Sequence, residues 1–155
     1  MDRLASQAAF GRDVYVAPTA YVGGDVTLGD ECTVMHQVTI RADIAKIRIG
    51  HRVNVQDAAV IHTKHGVDLT IADEVGIGHR AVVHARLVGA RTLIGIGAIV
   101  LDDCEIGTEC IIAAGAVVVP ETIVPDGTVM MGMPAKPVRR GTPADLEYNP
   151  PVGQS

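Results

Sequence analysis

The sequence predicts an all-β chain wound as a parallel β-helix of about six triangular coils, and three observations carry that reading. Aliphatic residues recur every six positions over most of the 155-residue chain. Helices pulse at 3.6 residues and single strands at two, so a period of six marks a repeat of one short strand plus one corner. Hydrophobic residues make up 48% of the chain while aromatics are only 3%, with no Trp and one Phe. The core must therefore be Val, Ile, Leu and Ala, side chains small enough to fill a narrow prism. Finally, Gly often follows the aliphatic residue, as in "VGGDVT", "LGDECT", "IGIGAI" and "IGTECI".

Taken in order, the pulse runs through Val16, Val22, Leu28, Val34 and Ile40, then Ile49, Val55 and Ile61, then Ile71, Ile77 and Val83. After one five-residue step it continues at Val88, Ile94, Val100, Ile106, Ile112, Val118, Val124 and Met130. Three repeats make a coil, with adjacent rungs about 4.8 Å apart. Two breaks interrupt the period: three extra residues between Ile40 and Ile49, and four between Ile61 and Ile71 around "HTKHGVDL". Insertions in a solenoid are expected as loops on its flank. A sandwich of hairpins would need turn signals every eight to twelve residues and alternating polarity, and neither is present. The domain reading is a β-helix over residues 1–133 and a tail over 134–155, where the pulse stops and Pro and polar residues take over. That tail is expected to be irregular, folded back on the helix or disordered.

Cys32, Cys104 and Cys110 each fall four places after an aliphatic, at a small inward-facing position, without C-x-x-C spacing. They read as core fillers. A formal net charge of −5 shows no basic stripe and argues against nucleic-acid binding. The longest apolar run, Ile111 to Val119, is too short to cross a bilayer, and "MDRLASQ" lacks a signal-peptide layout. The expected location is the cytoplasm, with no membrane partner.

Residues at one offset, three repeats apart, should lie above one another. Ile40, Ile61 and Val83 then form a column that stacks Arg41, His62 and His84. Val34, Val55 and Ile77 form a second column on the preceding face, stacking His36, Asp57 and His79, with Gln56 beside Asp57. His62 and His84, one rung apart, can converge on one zinc ion with nitrogens at about 2.0–2.1 Å. His79 is separated from His84 by five residues of extended chain, up to roughly 16 Å, and projects from another face. If all three bind one metal, His79 must come from a neighbouring molecule. A head-to-tail contact of that kind closes into a ring, and a triangular prism suggests a homotrimer.

The segments "IRADIAKIRIGHRVNVQDAAVIH", "IGHRAVVH" and "LIGIGAIV" resemble the gamma-class carbonic anhydrases and their homologues over about residues 14–140. The resemblance implies a left-handed helix, a homotrimer and a metal between subunits that hydrates carbon dioxide to bicarbonate. It implies His62, His79 and His84 as metal ligands. Arg41 and Asp43 would form an intersubunit ion pair, with Asp57 a partner of Arg41. Gln56 would orient the hydroxide on the metal, with Asn54 close by. Three neutral histidines leave a fourth position for water, whose pKa falls from 15.7 to about 7. Zinc is the expected metal, and ferrous iron and cobalt suit the same ligands. His65, in the "HTKHGVDL" loop, is a candidate proton shuttle.

The chain departs from that family at four places. "HAR" follows where "HG" is usual, and His36 stands where many members carry an aromatic. No acidic loop follows Asp57. The tail is short and proline-bearing, so a tyrosine that relatives place near the metal would have to be replaced by Tyr148. The rival readings are a hexapeptide acyltransferase, which shares the pulse and the "GMPAKPV" ending and uses one histidine as general base without metal, and a metal-binding relative without hydratase activity, including a thioesterase.

Overall fold

The computed structural model describes residues 8–147, within which nineteen strands precede one short helix, Pro143–Leu146. Most strands are only two residues long, and the second residue is the aliphatic of the pulse. In Val82–Val83, Ile99–Val100 and Ile111–Ile112 the first side chain is half-exposed and the second buried. That is the two-residue alternation of a strand wrapped around a core.

Three faces result. The first stacks Val22, Ile40, Ile61, Val83, Val100 and Val118 in parallel register. The second stacks Leu28, Ile49, Ile71, Val88, Ile106 and Val124. The third stacks Val16, Val34, Val55, Ile77, Ile94, Ile112 and Met130. These aliphatics form one continuous core in which Ile40, Ile61, Ile77, Ile94, Ile106 and Ile112 are wholly buried. Each such side chain contributes roughly 1.5–3 kcal/mol of burial.

The stack has about seven turns where the pulse predicts six. The third face carries seven parallel strands, and on the second face Ala9–Phe10 adds a rung beneath Thr27–Leu28. That first rung ends on Phe10, an aromatic that is half-exposed, so it has no aliphatic signature to count.

The first insertion is not the flanking loop that its length predicts. Thr39–Ile49 is one eleven-residue strand that runs through the corner, pairing with Val60–His62 at one end and Leu69–Ile71 at the other. Its neighbour Tyr21–Leu28 turns the same corner, with a register shift between Gly24 and Val26 that absorbs the difference in length. The second insertion is a loop over residues 63–68, between the strands Val60–His62 and Leu69–Ile71. Past Met130, the expected irregular tail contains a regular strand: Lys136–Arg140 folds back antiparallel onto Thr128–Met131. All five of its side chains are exposed. Backbone pairing to an otherwise open edge holds it, which also covers the last rung of the third face.

The cysteines occupy the interior as expected. Cys32, Cys104 and Cys110 are buried and free, and each thiol donates to a backbone carbonyl: Gly50, Val119 and Pro125, at 3.0, 3.0 and 3.1 Å. Burial pushes all three thiols above their ordinary pKa, which keeps them protonated and unreactive.

Candidate metal centre

His62 and His84 stand on adjoining rungs of the first face because Ile61 pairs with Val83. Arg41 lies one rung further on, paired with His62. The two imidazoles face each other with ring centroids 5.2 Å apart and a 41° tilt. His62 Nδ1 and His84 Nε2 are 3.1 Å apart.

The outer nitrogen of each ring meets a carboxylate. His62 Nε2 lies 2.9 Å from Asp43 Oδ1, and His84 Nδ1 lies 2.6 Å from Asp102 Oδ1. An ionised carboxylate only accepts, so in a pair of neutral rings each outer nitrogen carries the proton and each inner nitrogen presents a lone pair. Two lone pairs at that separation repel unless a cation lies between them. Two nitrogens on one tetrahedral zinc, at about 2.0–2.1 Å each, would be about 3.3 Å apart. The observed pair therefore fits one edge of a metal's coordination shell.

Asp43 also takes Arg41 Nη1 on its other oxygen. Desolvation alone would raise the Asp43 carboxyl. The hydrogen bonds from His62 and the backbone, with the charge of Arg41, together hold it below its ordinary value. It is thus the ionised acceptor that the His62 tautomer requires.

His79 sits elsewhere. It follows the third-face strand Gly76–Ile77, its side chain is 46% exposed, and its Nδ1 lies 3.0 Å from Asp57 Oδ2, one rung away. Among the described residues no three His, Cys, Asp or Glu side chains converge on a metal position within one chain. Gln56 and His79 line a surface groove of about 340 Å³ with Leu93, Ile96 and Ile111. Its floor includes Gly78 and Gly95, where the next rung's backbone comes close. A Cβ on Gly95 would lie 2.6 Å from the Ala114 nitrogen.

Asn54 stands two residues before Gln56, and its Oδ1 accepts a hydrogen bond from Thr33 Oγ1 at 2.9 Å. His36 Nδ1 is 3.0 Å from Thr19 Oγ1. His65 is exposed in the 63–68 loop, beside Lys64, whose ammonium bridges to Asp103. Within the chain, Asp57 is paired with His79, and Arg41 with Asp43. Tyr148 lies outside the described residues.

Asp102 is the site residue that sequence reasoning missed. It follows Val100 by two positions, and Val100 stacks directly on Val83, so the carboxylate reaches His84 from the next rung. The signal was present in that register, but "LDDC" reads as an ordinary corner.

The family model for bacterial transferase hexapeptide (six repeats) matches residues 87–120. A carbonic anhydrase of Geobacillus kaustophilus is 39% identical over 132 residues, covering 85% of this chain and 72% of that protein. The mitochondrial gamma carbonic anhydrase 2 of Arabidopsis thaliana is 34% identical over 143 residues, covering 88% of this chain, which spans about half (51%) of that protein's length. Among solved structures, a hexapeptide transferase family protein from Anaplasma phagocytophilum superposes with a TM-score of 0.76 at 29% identity, covering 92% of this chain and 89% of that one. AntD, an N-acyltransferase from Bacillus cereus, reaches 0.77 at 15% identity over 96% of this chain and 95% of that one, a likeness of fold alone. With its hexapeptide pulse, its stacked first face and this similarity over most of its length, the chain belongs to the gamma carbonic anhydrase family of hexapeptide-repeat β-helix proteins.

Proposed function

We propose that this protein hydrates carbon dioxide to bicarbonate at a divalent metal shared between subunits of a homotrimer. The observation that carries the reading is the facing pair, His62 Nδ1 and His84 Nε2, with both outer nitrogens tied to carboxylates. His79 completes the set from a neighbouring subunit, its Nδ1 held by Asp57.

Surface character supports that assembly. Outward positions of the first face include Val60, Val82, Ile99 and Val117 beside Tyr21 and Thr39, and those of the third include Leu93 and Ile111 beside Tyr15, Thr33, Asn54 and Gly76. The second face instead interleaves Arg48, Thr70 and Glu105 with Leu87 and Ile123. An aliphatic stretch on each of these two faces is what a closed head-to-tail ring would bury, one against the next. Those two faces carry the histidine pair and the lone histidine. In the ring Arg41 and Asp57, which have other partners within one chain, would meet across the seam.

When bound, zinc, or iron or cobalt in its place, would lower the pKa of a water from 15.7 to about 7 and supply a nucleophile near neutral pH. Around it, Gln56 offers an amide that donates or accepts without titrating. Asn54, two residues before Gln56, has its oxygen engaged by Thr33 Oγ1. Hydration releases a proton, and His65, exposed and three residues from His62 on the 63–68 loop, would pass it to solvent.

The groove beside His79 favours one alternative. An acyl chain fits its aliphatic lining, and His79 would then act as general base for acyl transfer without a metal. Loading the purified protein with zinc, cobalt or, anaerobically, ferrous iron and following carbon dioxide hydration by stopped flow separates the readings. The expected result is one metal per subunit and a hydration rate well above buffer. Stoichiometric metal with no rate above buffer would point to a binding protein, and acyl transfer by metal-free protein would point to the transferase.

A further inference from the structure

We infer that Asp102 is the positioning residue of His84: its carboxylate selects the imidazole tautomer whose Nε2 lone pair faces His62. The inference rests on the metal-centre reading above and adds a residue to it.

His84 is held from outside its own strand. Its Nδ1 lies 2.6 Å from Asp102 Oδ1, the shorter of the two carboxylate contacts on the facing pair. The neutral ring places its one proton on either nitrogen, and only the Nδ1–H form leaves Nε2 able to coordinate. The other two histidines have their own carboxylates, Asp43 on His62 and Asp57 on His79. Asp102 makes the arrangement uniform, with one carboxylate on each of the three rings.

Asp102 is itself set by the fold. It stands two positions past Val100, which is locked between Val83 and Val118. The amide of His84 donates to the Val100 carbonyl at 2.9 Å, which ties the backbone at His84 to the strand that leads into Asp102. Next in sequence, Asp103 takes the Lys64 ammonium and ties the 63–68 loop to the same corner. Consecutive carboxylates thus do different work: Asp102 orients a ring, and Asp103 anchors a loop.

The test compares Asp102→Asn, Asp102→Glu and Asp103→Asn with the parent protein. An asparagine amide keeps the size but can donate to Nδ1, which moves the ring proton to Nε2 and blocks coordination there. Affinity for cobalt and zinc is measured by competition with a chromophoric chelator, and the visible spectrum of the cobalt form is recorded at saturating metal. Loss of an outer-shell partner of this kind weakens metal affinity by about 10–100-fold. Asp102→Asn is expected to fall in that range with an altered cobalt spectrum and an unchanged melting temperature of the metal-free protein. Asp102→Glu is expected to recover part of the affinity, and Asp103→Asn to bind like the parent. Parent-like affinity and spectrum in Asp102→Asn would overturn the inference while leaving the metal centre standing. A parent protein that binds no metal would overturn both.

Discussion

If the proposed centre holds, His62→Ala loses the metal, with affinity for zinc or cobalt down by more than about 100-fold and hydration reduced to the buffer rate. The reason is geometric. His62 supplies one of two nitrogens that stand 3.1 Å apart, and its removal leaves His84 as the lone imidazole on the first face. The fold should not notice. His62 ends its strand with only polar partners on its ring nitrogens, while Ile61 beside it is wholly buried and carries the packing. Asp43 keeps Arg41 as a partner, so no unpaired charge is created. Melting temperature of the metal-free protein and metal content by elemental analysis check the two halves separately. A variant that still holds one metal per subunit would contradict the assignment of His62.

Ile61→Ala should do the reverse. Ile61 is wholly buried, paired with Ile40 on one side and Val83 on the other. Truncation removes three carbons from the centre of a stack whose neighbours are locked by their own ladders and relax little. The expected loss is about 2–5 kcal/mol, a large part of the roughly 5–15 kcal/mol that holds a domain together. Chemical denaturation measures it. Below its melting transition the variant should bind metal at the parent stoichiometry, since strand pairing still brings His62 to His84. A loss under about 1 kcal/mol would mean that the column at Ile61 is not the packed interior described here.

The contrast between those neighbours shows why so much was legible from residues alone. The pulse aliphatics sit at the buried ends of strands, and a strict period leaves one way to stack them. The columns Ile40, Ile61, Val83 and Arg41, His62 then follow by counting. Counting fails where structure is held by something other than an inward aliphatic. Lys136–Arg140 is a strand through edge pairing, with Pro137 inside it and every side chain exposed, so it carries no periodic signal. Ala9–Phe10 pairs by backbone and ends on a half-exposed aromatic. The residues between Ile40 and Ile49 stay in one strand because the neighbouring strand shifts register to match, a cooperation between two segments that neither shows singly. Asp102 was missed for a different reason: its role depends on reaching across a rung to a histidine eighteen positions earlier.

The central claim is that one chain provides two imidazoles and its neighbour the third. Subunits carrying His79→Ala retain the pair, and subunits carrying His84→Ala retain the lone histidine. Co-expressed with different tags and purified for both, they assemble mixed rings in which one seam of three joins an intact pair to an intact partner. Each variant alone should bind no metal tightly, while the mixed ring should hold about one metal per three subunits and recover hydration at that seam. Mixed rings that stay as empty as either parent variant would contradict a site shared between subunits.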